Sequence, residues 1–181
     1  KYGANEQIDI AIRVLVDHIR AITVTIADGQ LPSNTGAGYV IRRILRRAVR
    51  YAFRYFNCNE PFLFEMCQLL AKNFKDVFPE VFAQKDFLAK VIKEEENSFL
   101  RTLSTGTKRF DAYVSEAKNK EIPGQFAFEL FDTFGFPIDL TELMALEEGF
   151  TVDIEGYDKA LAAAVSNKVQ CEVLLLLLGR K

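Results

Sequence analysis

The 181 residues carry 23 Lys and Arg against 25 Asp and Glu, a formal net charge of -2, with 49% hydrophobic and 27% charged residues. That composition excludes a disordered chain, and the length holds one ordinary domain or two small ones with a sizeable core. The charge is unevenly laid out: Leu31 to Asn59 holds six arginines and no acid, while the remaining residues carry 17 basic against 25 acidic groups.

In chain order, the first residues, Lys1-Tyr2-Gly3-Ala4-Asn5-Glu6, are polar and do not form a signal peptide. Lys1 in place of a start methionine is what a piece of a longer protein would show. Ile8, Ile12, Leu15, Val16, Ile19 and Ile26 recur at three- and four-residue steps and predict a helix, with Asp28-Gly29 ending it. Ser33 or Asn34 is placed to cap the next helix, and Gly36 and Gly38 allow close backbone approach. On a wheel of 100° per residue, Arg42, Arg43, Arg46, Arg47, Arg50 and Arg54 fall within an arc of about 140°. Val40, Ile41, Ile44, Leu45, Ala48, Val49 and Ala52 fill the other side, so one face is core and one is guanidinium. That face reads either as an anion-binding surface or as a solvated or intramolecular one facing the acidic half of the chain.

Asn57 to Pro61 is a loop, and Phe62, Leu63, Met66, Leu69, Leu70 and Phe74 predict a third helix that Pro79 closes. Val81 to Ala117 predicts one long helix or two consecutive ones with Gly106 as the weak point, and Glu94-Glu95-Glu96 reads as a solvated run. Phe126 to Phe131 predicts a short helix stopped by Gly135 and Pro137, and Asp139-Leu140-Thr141-Glu142 reads as a capping box for a helix ending at Gly149. From Glu121 to Asp158 there are ten acids and no Lys or Arg. Leu174 to Leu178 is five consecutive leucines, a run with no polar face. With few β-branched alternations, the fold class is all-α. No apolar run approaches the ~20 residues of a membrane span. Cys58, Cys67 and Cys171 lack metal spacing and read as reduced thiols of a cytoplasmic protein rather than a disulfide scaffold. His18, the single His, reads as a packed helix residue rather than a catalyst.

Several long motifs stand together in one order: Asp17-His18-Ile19-Arg20-Ala21, Ile26-Ala27-Asp28-Gly29, Leu31-Pro32-Ser33-Asn34, Gly38 through Ala48, and Phe131-Asp132-Thr133-Phe134-Gly135-Phe136-Pro137-Ile138-Asp139-Leu140-Thr141. Over about residues 1 to 165 the chain resembles the alanyl-tRNA synthetases, in the helical tRNA-recognition region that follows their class II catalytic core. The resemblance implies an acceptor-stem reader for tRNA(Ala), with Asn34 and Asp132 reading the G3·U70 wobble pair and the six arginines as phosphate contacts. Read from the residues alone, Asn34 is equally an ordinary helix cap and Asp132 a helix-end turn residue. Thr35 and Ala37 stand where the family usually has Glu and Arg, so no RNA contact is assigned to them.

The resemblance further implies a parent ligase using ATP and Mg, with Zn in its editing domain. This segment itself is expected to hold no cofactor, metal or catalytic residue. Its expected partners are the tRNA(Ala) acceptor stem and the catalytic and editing domains of the same enzyme, with neither a membrane nor DNA among them. The alternative from another class is a helical protein-interaction or DNA-binding module. The expected divisions are 1–57 around the Asn34 turn and arginine helix, 58–165 around Asp132, and an atypical leucine-rich tail over 166–181.

Overall fold

The computed structural model describes residues 2–177, with side chains described as far as Ser166. The described residues form eight helices and one minimal pair of strands, so the fold is all-α. The helices are α1 (Glu6–Ala27), α2 (Gly36–Phe56), α3 (Leu63–Asn73), α4 (Pro79–Ala83), α5 (Lys85–Glu116), α6 (Gly124–Phe134), α7 (Ile138–Glu147) and α8 (Ile154–Leu177). The strands β1 (Glu121–Ile122) and β2 (Thr151–Val152) pair in parallel, Glu121 opposite Thr151 and Ile122 opposite Val152. Two compact units, Lys1–Thr105 and Gly106–Lys181, divide within α5, and the expected division at residue 57 falls in a loop of the first unit. No helix among the described residues is long and apolar enough to cross a membrane.

In the first unit, α1 is opened by Asn5, whose Oδ1 accepts the Ile8 amide at 3.1 Å, and closed by Gly29 at φ 90°. Its buried face is Ala11, Leu15, Ile19, Ile22 and Ile26, while Val16, expected in the core, is exposed. That face packs on α2, whose buried side is Ile41, Leu45, Ala48, Val49 and Ala52, the side opposite most of the arginines. Pro79 does not end the third helix. It occupies the first turn of α4, where its missing N–H leaves no hydrogen bond unmade.

The acidic run at 94–96 is not solvated as a whole. Glu94 is exposed, Glu95 is half-buried, and Glu96 is 2% exposed. A buried carboxylate needs donors. Glu96 finds them at the start of α3, where Phe62, Leu63 and Phe64 donate their amides at 2.9, 2.8 and 3.1 Å. The N-cap residue of α3 is Phe62, which has no acceptor of its own, so a side chain from α5 caps that helix.

In the second unit, α6 packs against α7 and α8 over Phe126, Ala127, Leu130, Leu140, Met144 and Tyr157. α5 runs unbroken across Gly106, and the glycine is there for space. A Cβ at 106 would lie 2.7 Å from Cε1 of Phe136 and 3.0 Å from Cβ of Phe134. Gly135, at φ 72°, ends α6. The capping box expected at 139–142 does not form: α7 begins at Ile138, its N-cap is Pro137, and Asp139 lies inside the first turn. Asp153 instead receives the Gly156 amide at 2.9 Å at the start of α8. The backbone of α8 continues to Leu177, and the side chains of the leucine run lie outside the described residues.

Replacing Glu96 with Ala leaves three amides at the α3 N-terminus without their acceptor. We expect it to lower unfolding free energy by about 1–3 kcal/mol. Glu94→Ala, at the exposed end of the run, should stay within about 0.5 kcal/mol. Equal denaturant midpoints for the two variants would show that the Glu96 cap is not stabilising.

Candidate nucleic-acid interface

The turn between α1 and α2 folds back on the helix it precedes. The Ser33 amide donates to the Gly38 carbonyl at 3.0 Å, and the Ser33 hydroxyl donates to the Thr35 carbonyl at 2.7 Å. A Cβ on Gly38 would lie 2.3 Å from both the Leu31 carbonyl oxygen and Ser33 Oγ, so only glycine fits under this turn. The N-cap of α2 is Thr35, without a side-chain cap bond. Neither Ser33 nor Asn34 therefore caps the helix as expected. Freed from capping, Asn34 is exposed on the turn, and its Oδ1 accepts a hydrogen bond from Nη1 of Arg42.

Arg42 is itself held from α5. Its Nε donates to Oε2 of Glu95 at 3.1 Å and its Nη2 to Oε1 at 2.6 Å, a two-pronged contact between side chains 18% and 16% exposed. Arg46 approaches the same carboxylate, Nη2 to Oε2 3.9 Å, and lies over the Phe99 ring at 5.1 Å. Burial, then the neighbouring Arg42, pulls its pKa below the usual arginine value, while Glu95 and Tyr39 oppose them. The guanidinium stays charged regardless. Arg43 stacks over Tyr39 at 5.9 Å, and Arg50 is only 5% exposed. Arg54, in the last turn of α2, is exposed and has no partner among the described residues. The arginine face is thus not uniform: Arg50 is buried, Arg42, Arg43, Arg46 and Arg47 are half-buried, and Arg54 is exposed.

Asp132 belongs to the second unit. It lies in the last turn of α6 rather than in the turn beyond it, is exposed, and has no hydrogen bond or ion pair among the described residues. The C-terminal end of a helix carries the negative end of its dipole, and the last turn of α6 has no basic residue to offset an acid there. Asp132 is an acceptor placed against local stability.

His18 of α1 is half-buried. Burial first, and the charge of Arg47 second, hold its pKa below the usual 6.5, while Asp17 opposes them. It is a neutral, packed helix residue. Cys58 and Cys67 are free thiols, both pushed up chiefly by burial. Cys171 lies outside the described side chains.

A family model described as tRNA synthetases class II (A) matches residues 1–172. The chain belongs to the alanyl-tRNA synthetase family. An alanine–tRNA ligase of Cytophaga hutchinsonii is 58% identical over 166 residues, covering 90% of this chain and 19% of the relative. Alanine–tRNA ligases of Flavobacterium psychrophilum and Bacteroides fragilis are 52% and 53% identical over 170 and 161 residues, covering 89% and 87% of this chain and 19% and 18% of theirs. The chain spans about one-fifth of the length of these synthetases. Within this alanyl-tRNA synthetase segment, residue spacing grouped the arginines on α2 but did not single out Glu95, the acceptor that orders Arg42.

Because the folded chain resists protonating His18 and the unfolded chain does not, acidification through about 6.5 favours unfolding. Stability should fall as pH drops through that value, and His18→Gln should flatten the slope there, read from denaturant midpoints across pH 5 to 8. An unchanged slope in the variant would assign the pH response elsewhere.

Proposed function

We propose that this chain is the part of an alanine–tRNA ligase that recognises the acceptor stem of tRNA(Ala) through its G3·U70 wobble pair, so that the full-length cytoplasmic enzyme attaches alanine to that tRNA at the expense of ATP. The observation that carries the reading is the exposure of Asn34 and Asp132. Both stand at positions where the family resemblance implies base readers, and Asp132 has no structural partner. The segment supplies recognition, while the ATP and Mg of activation and the Zn of editing belong to other parts of the enzyme.

An A-form stem presents a wide, shallow minor groove within reach of side chains. There a wobble pair leaves the guanine 2-amino group as a donor, and an ionised carboxylate, acceptor-only, selects it. The Asn34 amide nitrogen donates to uracil O2. These contacts are worth ~1–3 kcal/mol of discrimination per pair. Asp132 repels phosphate, so affinity comes from arginine. Arg42 and Arg46 face Glu95 and Arg50 is buried, so we assign direct phosphate contact chiefly to Arg54, with the half-buried Arg43 and Arg47 contributing.

The reading is tested by binding to an acceptor minihelix bearing the wobble pair, to its G·C counterpart and to duplex DNA. Equal, weak binding to all three would exclude specific reading and favour a general helical binding module. In the full-length enzyme, Asp132→Asn should lower charging of the wobble-bearing tRNA far more than alanine activation, with no loss of stability. Equal losses in both assays would count against a reading role.

The assignment of the grip makes a separate prediction. Arg54→Gln should weaken binding to every RNA sequence and reduce the salt slope by about 0.7–0.9. Arg50→Gln should destabilise the fold with little change in slope. The reverse pattern would place the phosphate contact at the buried end of the face.

A further inference from the structure

We propose that Glu95 and Arg42 are a positioning pair that fixes the carboxamide of Asn34 and thereby sets how strictly the wobble pair is read. The proposal rests on the assignment of Asn34 as a base reader. An exposed asparagine on a turn can present either its oxygen or its nitrogen to a base edge, and the two ends have opposite hydrogen-bonding character. Arg42 removes that freedom. A guanidinium only donates, so its Nη1 selects Oδ1 of Asn34 and leaves the Nδ2 donors facing outward. A carboxamide turned the other way would offer an acceptor to uracil O2, itself an acceptor, and the contact would be lost.

The orientation of Asn34 is only as well defined as that of Arg42, and Arg42 is defined by Glu95. The contacts at 3.1 and 2.6 Å take the Nε and Nη2 edge of the guanidinium and leave Nη1 to meet Asn34. The planar fork allows one side chain to do both, whereas a lysine ammonium has no such fixed geometry. Arg46, 3.9 Å from Oε2, adds a second positive charge beside the same carboxylate. Asn34, Arg42 and Glu95 thus form one chain of contacts, from a half-buried carboxylate on α5 to the exposed tip of the turn.

A positioning role predicts the opposite sign from a charge effect. Glu95 is an anion, so an electrostatic influence alone would make Glu95→Gln bind and charge every RNA better. If Glu95 positions Asn34, the same variant should lose discrimination.

The test measures kcat/KM for charging a G3·U70 stem and a G3·C70 stem by a full-length ligase carrying this segment, and takes their ratio. Glu95→Gln, which keeps the size and one acceptor oxygen, should lower the ratio about tenfold, the scale of one base contact. Arg42→Lys, which keeps the charge, should lower it similarly. Asn34→Ala should lower it at least as far, and adding Glu95→Gln to Asn34→Ala should lower it no further. Equal losses on both stems, a gain on both, or additive losses in the double variant would overturn the positioning pair. A normal ratio in Asn34→Ala would overturn the reading of Asn34 itself. A reduced ratio in Asn34→Ala with a normal one in Glu95→Gln would leave that reading standing and reject only the pair.

Discussion

Packing α2 against α5 turns guanidinium groups towards the interior of the first unit, and this requires an acceptor that is also inside. Glu95 is that acceptor. It takes two hydrogen bonds from Arg42 and lies near Arg46, while Phe99, one turn further along α5, receives the face of the Arg46 guanidinium. Removing one partner of a buried, hydrogen-bonded pair leaves the other charge uncompensated and is strongly destabilising. The contact reaches the turn as well, because Arg42 donates to the Asn34 side chain from the helix that the turn begins. Glu96, the adjacent residue, solves an unrelated problem at the start of α3. Adjacent helix positions differ by about 100°, so two neighbouring acids serve two neighbouring helices.

The same 100° step explains what was legible in the sequence and what was not. The helices α1 and α2 and the end of α6 were legible, because their periodicities and the glycines at 29 and 135 are local signals, whereas α4 and α8 were not singled out. Glu94-Glu95-Glu96 was misjudged because three acids in a row look hydrophilic as a block. Glu96 follows Ile92 by four residues and precedes Phe99 by three, and both of those are buried, so its position on the core face was available from spacing. Which donors would satisfy it was not. They are backbone amides 32 to 34 residues away, and no side-chain pattern announces them. The capping box at 139–142 failed for a related reason: Pro137 fixes its own φ as the N-cap, and the helix begins at Ile138, one residue before Asp139.

The arginine face was correctly placed on one side of a helix, but spacing alone could not separate arginines that face α5 from one that faces water. That distinction changes the chemistry. A guanidinium paired to a half-buried carboxylate orients its neighbours and contributes little net charge at the surface, whereas an exposed one attracts phosphate. Along α2, Arg42, near the turn, pairs with Glu95, Arg50 is buried, and Arg54, in the last turn, is exposed. The helix end nearest Asn34 is therefore ordered by pairing, and the end furthest from it carries the open charge.

Asp132 completes the contrast. Arg42 and Glu95 compensate each other's charge, but Asp132 has no such partner among the described residues, and an acid in the C-terminal turn of α6 opposes the helix dipole by about 0.3–1 kcal/mol. Glu129, one turn earlier on the same helix, shows how the fold handles an acid it uses structurally: it receives Nε of Arg109 at 3.0 Å. A local choice that works against its own helix, with a paired acid beside it for comparison, fits the proposal that Asp132 meets an external donor. Asn34 and Asp132 thus differ in how they are made ready. On the proposed reading the amide needs orienting, which the contacts from Arg42 and Glu95 supply, whereas the carboxylate accepts through either oxygen and needs only to be left open.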